Sequence, residues 1–204
     1  MEIADNAPDD GDGDVPRAPR VPPGTYTIEL AVNGETVSRE ALQVTQDPRS
    51  AATADDLARQ FDIGTRIFRD CVESRRALAE IDTIVGRLKA IVAAAPHGKR
   101  TALHAADADI ARIRAITGGA NGLAGSSAAL VRALQAVESA DRPVPSQVLA
   151  AYESAQAAAH ARLEQWAAIK TRQLATLNSV LNRSGLSPMP IREIEREIDH
   201  YLTR

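Results

Sequence analysis

Residues 53–94 read TADDLARQFDIGTRIFRDCVESRRALAEIDTIVGRLKAIVAA. Leu78, Ile81, Val85, Leu88 and Val92 recur at steps of three and four, which draws one apolar stripe down a helix. Leu57, Phe61, Phe68 and Cys71 carry the stripe towards the N-terminal end, with Gly64 inside it. Thr53 with Asp56 three positions on is a helix N-cap arrangement. Pro96-His97-Gly98 ends the run. About 40 residues rising about 1.5 Å each make a rod of roughly 60 Å.

Downstream, the pattern predicts a second helix over Thr101–Thr117, carried by Leu103, Ala106, Ile110, Ile113 and Ile116. The stretch GGANGLAGSS (118–127) interrupts it with four glycines. A short helix follows over about Ser127–Ser139, with Leu130, Leu134 and Val137 on one face. Asp141–Ser146 reads as a turn, with Ser146 as the N-cap of a last long helix over Gln147–Ser184. Leu149, Tyr152, Gln156, Leu163, Trp166, Ile169, Leu174, Leu177, Val180 and Leu181 mark the buried side of that helix. Gly185 is placed to end it, and Pro188 and Pro190 keep it ended. IREIEREIDHYL (191–202) has the spacing of a final short helix, with Ile191, Ile194 and Ile198 on one face. Its charge run, Arg192–Asp199, has mixed signs and reads as a solvated helix face. Long helices joined by short turns pack as antiparallel neighbours. The expectation is a mainly α protein, an up-down-up bundle of long helices whose middle helix is broken at Gly118–Gly125.

Upstream of the rod the period changes. Tyr26, Ile28 and Leu30 alternate with Thr25, Thr27 and Glu29, the pattern of a half-buried strand. Asn33-Gly34 is a two-residue hairpin signal, because both positions accept positive φ. The return strand is expected over Thr36–Thr45, with Leu42 and Val44 to one side. A two-stranded ribbon is marginal alone in water, so it needs a partner. Residues 1–22 are acidic and rich in Pro and Gly, and read as a disordered lead. The domain reading is therefore 1–22 linker, 23–47 hairpin and 48–204 bundle.

Composition agrees with a bundle. The hydrophobic fraction is 44% but aromatics make up only 3%, with Ala and Leu supplying most apolar side chains. Residues 1–22 hold six acidic and two basic groups out of totals of 27 and 24, which leaves 21 acidic and 22 basic residues in the rest. That near-neutral balance argues against a nucleic-acid partner. No run is long enough to span a bilayer, and no apolar leader of signal-peptide kind is present. Cys71 is a lone cysteine, so no intrachain disulfide forms.

A search for site chemistry assigns no residue a catalytic, cofactor-binding or metal-binding role. His97, His104, His160 and His200 lack metal-ligand spacing. His160 and Glu164 share a helix face, which is the ordinary spacing of a surface pair. Asp107 and Asp109 point to different sides of a helix. The glycine loop matches neither dinucleotide nor P-loop spacing, nor does Gly98-Lys99-Arg100-Thr101. Ser126 and Ser127 do not sit in G-x-S-x-G. Cys71, Trp166 and Tyr152 stand at core spacing. Asn182-Arg183-Ser184 matches the glycosylation sequon.

The segment PPGTYTIELAVNGETVSREALQVTQDPR (22–49) resembles the hairpin that closes an immunoglobulin-like β-domain after the propeller in bacterial sortilin-like, BNR-repeat proteins, some of which carry a glycosyl-hydrolase label. The matching residues are Pro23, Gly24, Thr25, Tyr26, Thr27, Leu30, Asn33, Gly34, Leu42, Val44, Asp47, Pro48 and Arg49. The stretches LQAVESADRPVPSQVLAAYESAQAA (134–158) and NSVLNRSGLSPM (178–189) are similar to the helices that follow in that family. The resemblance spans about residues 22–190. It lacks the propeller and the earlier strands, so no functional residue carries over. It implies an extracytoplasmic setting and a partner (a propeller, a β-domain or another protein) bound through Tyr26–Val44.

The functional expectation is a non-catalytic structural or interaction module. The alternatives are a fragment of a glycoside-hydrolase-like propeller enzyme without its catalytic part, or an independent helical adaptor or dimerising bundle. A glycosidase would need two carboxylates flanking a cleft with aromatic platforms. One tryptophan and three tyrosines supply few of these.

Overall fold

The computed structural model describes residues 16–96 and 100–202. It holds two strands, β1 (Gly24–Val32) and β2 (Glu35–Val44), followed by helices. These are α1 (Ala54–Ala94), α2 (Arg100–Thr117), α3 (Leu123–Val137), α4 (Ser146–Ala168), α5 (Leu174–Arg183) and α6 (Ile191–Leu202). A single π-helical turn, Ile169–Gln173, joins α4 to α5.

The protein is mainly helical, as the periodicity predicts. The first helix begins where its cap residues place it. Thr53 Oγ1 accepts from the Asp56 backbone N–H at 3.1 Å, and Asp56 accepts from the Thr53 backbone N–H at 3.0 Å. This reciprocal pair satisfies two of the amides that a helix start leaves open. At the other end of the bundle, Gly185 adopts φ 68°. Leu186 N–H donates to Leu181 and Gly185 N–H to Asn182, so the last carbonyls of α5 are capped.

α1 is the spine, and two apolar cores lie along it. In its first half Ile63, Ile67 and Cys71 pack against Leu130, Leu134 and Val137 of α3 and Tyr152, Ala155 and Ala159 of α4. In its second half Ile81, Ile84 and Leu88 pack against Ile110, Ile113 and Ile116 of α2, and against Trp166, Leu174 and Leu177. The chain thus runs up through α1, down through α2 and α3, and up again through α4 and α5. α6 descends beside α1, with Ile194 and Ile198 in the second core. Its polar side holds Arg76 to Asp199 and Arg87 to Glu197, each at 2.7 Å. The Arg192–Asp199 run is therefore a cross-helix ion-pairing face as well as a solvated one.

Several expectations are corrected. The buried line of α1 is Leu57, Gln60, Ile63, Ile67, Cys71, Ser74, Ala77, Ile81, Ile84 and Leu88. Phe61, Phe68, Leu78, Val85 and Val92 flank it, half-buried. α1 is covered by α2, α3, α4 and α6 in turn, so the buried band is wide and its centre is set by the neighbours. α3 starts at Leu123, earlier than the glycine run suggests. A Cβ on Gly125 would lie 2.3 Å from the Ala120 carbonyl oxygen, so here glycine permits a helix to start tightly. Ser146 is the first residue of α4 and Pro145 takes the cap position, without a side-chain cap bond. Fixed near φ −63°, Pro145 presets the entry to the helix. The last long helix is interrupted by the π turn.

Residues 16–22 do not belong to a disordered lead, because they lie along the bundle. Pro19 is buried against Gly64, and Arg20 N–H donates to Glu138 at 3.1 Å. A side chain on Gly64 would meet both Pro19 and the Glu138 carboxylate, which explains the glycine inside α1. The rest of the lead, and His97-Gly98-Lys99, lie outside the described residues.

Candidate functional site

The hairpin has the predicted turn, with Asn33 at φ 52° and Gly34 at φ 85°. Pairing runs from Gly24–Val44 to Val32–Glu35, with a bulge between Leu30 and Ala31. Thr25 donates to Gln43 at 2.7 Å and Arg39 pairs with Glu29 at 2.6 Å, both across the strands. Its foot is tied down. Tyr26 Oη donates to the Pro22 carbonyl, and Gln46 Nε2 donates to the Ala52 carbonyl at 2.7 Å. Val44, Leu57, Phe61 and Glu138 line a cleft of about 180 Å³ at this foot.

Beyond the foot nothing among the described residues covers the ribbon. Ile28 is 49% exposed, Leu30 57%, Val32 51%, Val37 58% and Leu42 45%. The half-buried strand that the alternation predicts is therefore exposed along most of its length. Tyr26, Ile28 and Leu30 share a face with Leu42, Ser38 and Glu40, and no described helix lies against it. Both long edges carry backbone groups that no further strand of the described chain pairs.

Two polar clusters sit inside the bundle. In the second core Glu80, only 5% exposed, accepts from Trp166 Nε1 at 2.8 Å and from Lys170 Nζ at 2.9 Å. Lys170 also donates to Glu195 at 2.9 Å and lies 5.8 Å from the Trp166 ring centroid. Burial alone would lower the Lys170 pKa. The carboxylates of Glu195 and Glu80 outweigh it, and the pKa is raised. Hydrogen bonding to Lys170 in turn holds Glu195 below its ordinary value. Lys170 stands in the π turn and reaches Glu80 of α1 and Glu195 of α6. Each charge here has a partner, which is the arrangement of a structural network.

The other cluster joins the first half of α1 to α4. Asp70 Oδ2 accepts from Tyr152 Oη at 2.9 Å and from Gln156 Nε2 at 2.8 Å. Asp70 Oδ1 lies 3.6 Å from His160 Nε2. Burial, then the Asp70 bond and charge, push the Tyr152 hydroxyl pKa up, so it remains a donor. Cys71 beside it is fully buried, and its thiol is pushed up to about 12, chiefly by burial. A thiol in that state is a packing group and a poor nucleophile.

Other residues singled out in the sequence are placed as follows. His104, Glu164, Asp107 and Asn182 are exposed. Asp109 is buried and pairs with Arg112 one turn on. Ser126 Oγ donates to the Gly122 carbonyl at 2.9 Å, within its own helix start. The Asp70–His160 approach is invisible to a search for spacing along one helix, because its members come from α1 and α4. No described helix is long and apolar enough to cross a membrane.

Compared with family models, with curated proteins and with solved structures, the chain matches none.

Proposed function

We propose that this protein is a non-catalytic interaction module, in which the hairpin Tyr26–Val44 docks onto a β-sheet of another polypeptide and the bundle holds the hairpin in position. One observation carries the reading: five large aliphatic side chains of the hairpin are about half exposed or more, on a ribbon that the described residues anchor at its foot. Exposed strand edges with apolar side chains are a template for strand addition, where main-chain hydrogen bonds supply affinity and side-chain pockets supply specificity. The likeness of residues 22–49 to the closing hairpin of propeller-associated β-domains supplies the kind of partner, an immunoglobulin-like sheet that lacks a hairpin.

Amide hydrogen exchange tests it. In the protein alone, Tyr26–Leu30 exchanges much faster than Ile81–Val92. Adding a propeller with its β-domain, from the proteins that residues 22–49 resemble, slows exchange across residues 23–46. Exchange at Tyr26–Leu30 as slow as at Ile81–Val92 in the monomer rules the docking reading out. Light scattering at several concentrations separates the dimerising alternative: a mass that doubles with concentration, together with protection of the same strands, places the second sheet in another copy of this chain.

A further inference from the structure

We propose that Asp70, Glu73 and His160 form a site for a divalent transition-metal ion, of which Zn²⁺ is the type, clamping α1 to α4. The inference does not depend on the docking role of the hairpin.

The donor set is assembled by the fold. Asp70 and Glu73 are three apart on α1, so their side chains share a face. His160 reaches the same place from α4. One donor atom of each residue, a carboxylate oxygen from both acids and an imidazole nitrogen, lies within 4.8 Å of the other two. A cation bonded to all three at about 2.1 Å needs donor–donor separations of about 3.0–3.5 Å. The 3.6 Å between Asp70 Oδ1 and His160 Nε2 already approaches that edge. Glu73 is exposed and makes no hydrogen bond or ion pair among the described residues, so its carboxylate can rotate in without giving up a partner.

The surroundings separate this trio from a chance surface cluster. Asp70 is held from behind, with Tyr152 and Gln156 occupying Oδ2 and leaving Oδ1 towards the imidazole. Donors behind a ligating carboxylate fix its direction. The Asp70 side chain is only 13% exposed, whereas that of His160 is 52% exposed, so the site has a fixed floor and an open mouth. An imidazole beside two carboxylates suits zinc, cobalt or nickel better than calcium or magnesium, which take oxygen ligands. With three protein ligands, the remaining positions belong to water.

The test uses the full chain, freed of metal with a chelator. Zn²⁺ is expected to bind with one-to-one stoichiometry by calorimetry and to raise the midpoint of thermal unfolding, since only the folded protein brings α1 and α4 together. His160→Gln and Glu73→Gln change exposed side chains and leave the fold intact. Each is expected to weaken Zn²⁺ binding at least about tenfold and to abolish the thermal shift. His104→Gln, on a different helix, is expected to bind as the parent does. Co²⁺ in place of Zn²⁺ should give visible d–d bands without the near-ultraviolet absorption of a cobalt thiolate, because Cys71 is not a ligand. Failure of Zn²⁺ to shift unfolding overturns the proposal. Binding that survives both His160→Gln and Glu73→Gln within twofold overturns it as well.

Discussion

Leu88 has no exposed surface and sits among Ile84, Ile113, Leu177 and Leu181 in the second core. Truncating it removes methyl groups and leaves a cavity that rigid helices cannot fill. Leu88→Ala is expected to cost about 2–5 kcal/mol in chemical denaturation, the range for buried leucine. A cost within error of zero would remove Leu88 from the core. Its neighbours on the sequence stripe behave differently. Val85 and Val92 are only half-buried, so their truncation costs less than that of Leu88. Periodicity found the correct side of the helix here, but the most buried line runs through Ile81, Ile84 and Leu88. A side chain's neighbours, and not its own polarity, settle that shift.

At the scale of the element, the π turn and α6 are coupled through Lys170. Glu195 has a folded pKa below its ordinary value, first because Lys170 hydrogen-bonds it. A carboxylate of this kind contributes stability that is present above the unfolded pKa, about 4.3, and is lost as pH falls through the lower folded value. Glu138 has the opposite sign, because burial raises its pKa and its ionisation opposes folding. Thermal unfolding measured from about pH 6 down to about pH 3 should therefore show a destabilisation below about pH 4.5 to which Glu195 contributes. Glu195→Gln should lower the midpoint near pH 6 and narrow its fall towards pH 3. An unchanged acid slope would mean that the Lys170–Glu195 contact is absent in solution. No sequence signal announced the π turn. Ile169–Gln173 keeps helical spacing, so nothing in the side-chain pattern distinguishes it from α-helix.

For the whole molecule, the hairpin lies outside both apolar cores of the bundle. The hairpin's exposed aliphatic side chains contribute little to folding, because they remain in contact with water. Replacing Ile28 and Leu30 together by threonine, which keeps strand propensity, should change stability by no more than about 0.5 kcal/mol per site. The same double substitution should weaken docking to a β-domain partner in a binding titration. A large loss of stability instead would show that the ribbon folds down onto the helices in solution.

Part of this architecture is legible in the sequence alone. Local rules placed the capping pair Thr53–Asp56, the Asn33-Gly34 turn, the terminating Gly185 and the order of the helices, since each depends on residues a few positions apart. The broken middle helix was also legible, although Gly125 turned out to belong to the helix start. Through-space relations were not. Whether an alternating strand is half-buried depends on a second surface, and none of the described helices offers one to Ile28 or Leu30. Whether His160 meets Asp70 and Glu73 depends on the register between α1 and α4, set by the packing of Tyr152, Ala155 and Ala159 against Ile67 and Cys71. Hydrophobic periodicity specifies a face but carries no information about what stands opposite, so elements follow from local chemistry, while the site and the unpartnered surface follow from how those elements pack.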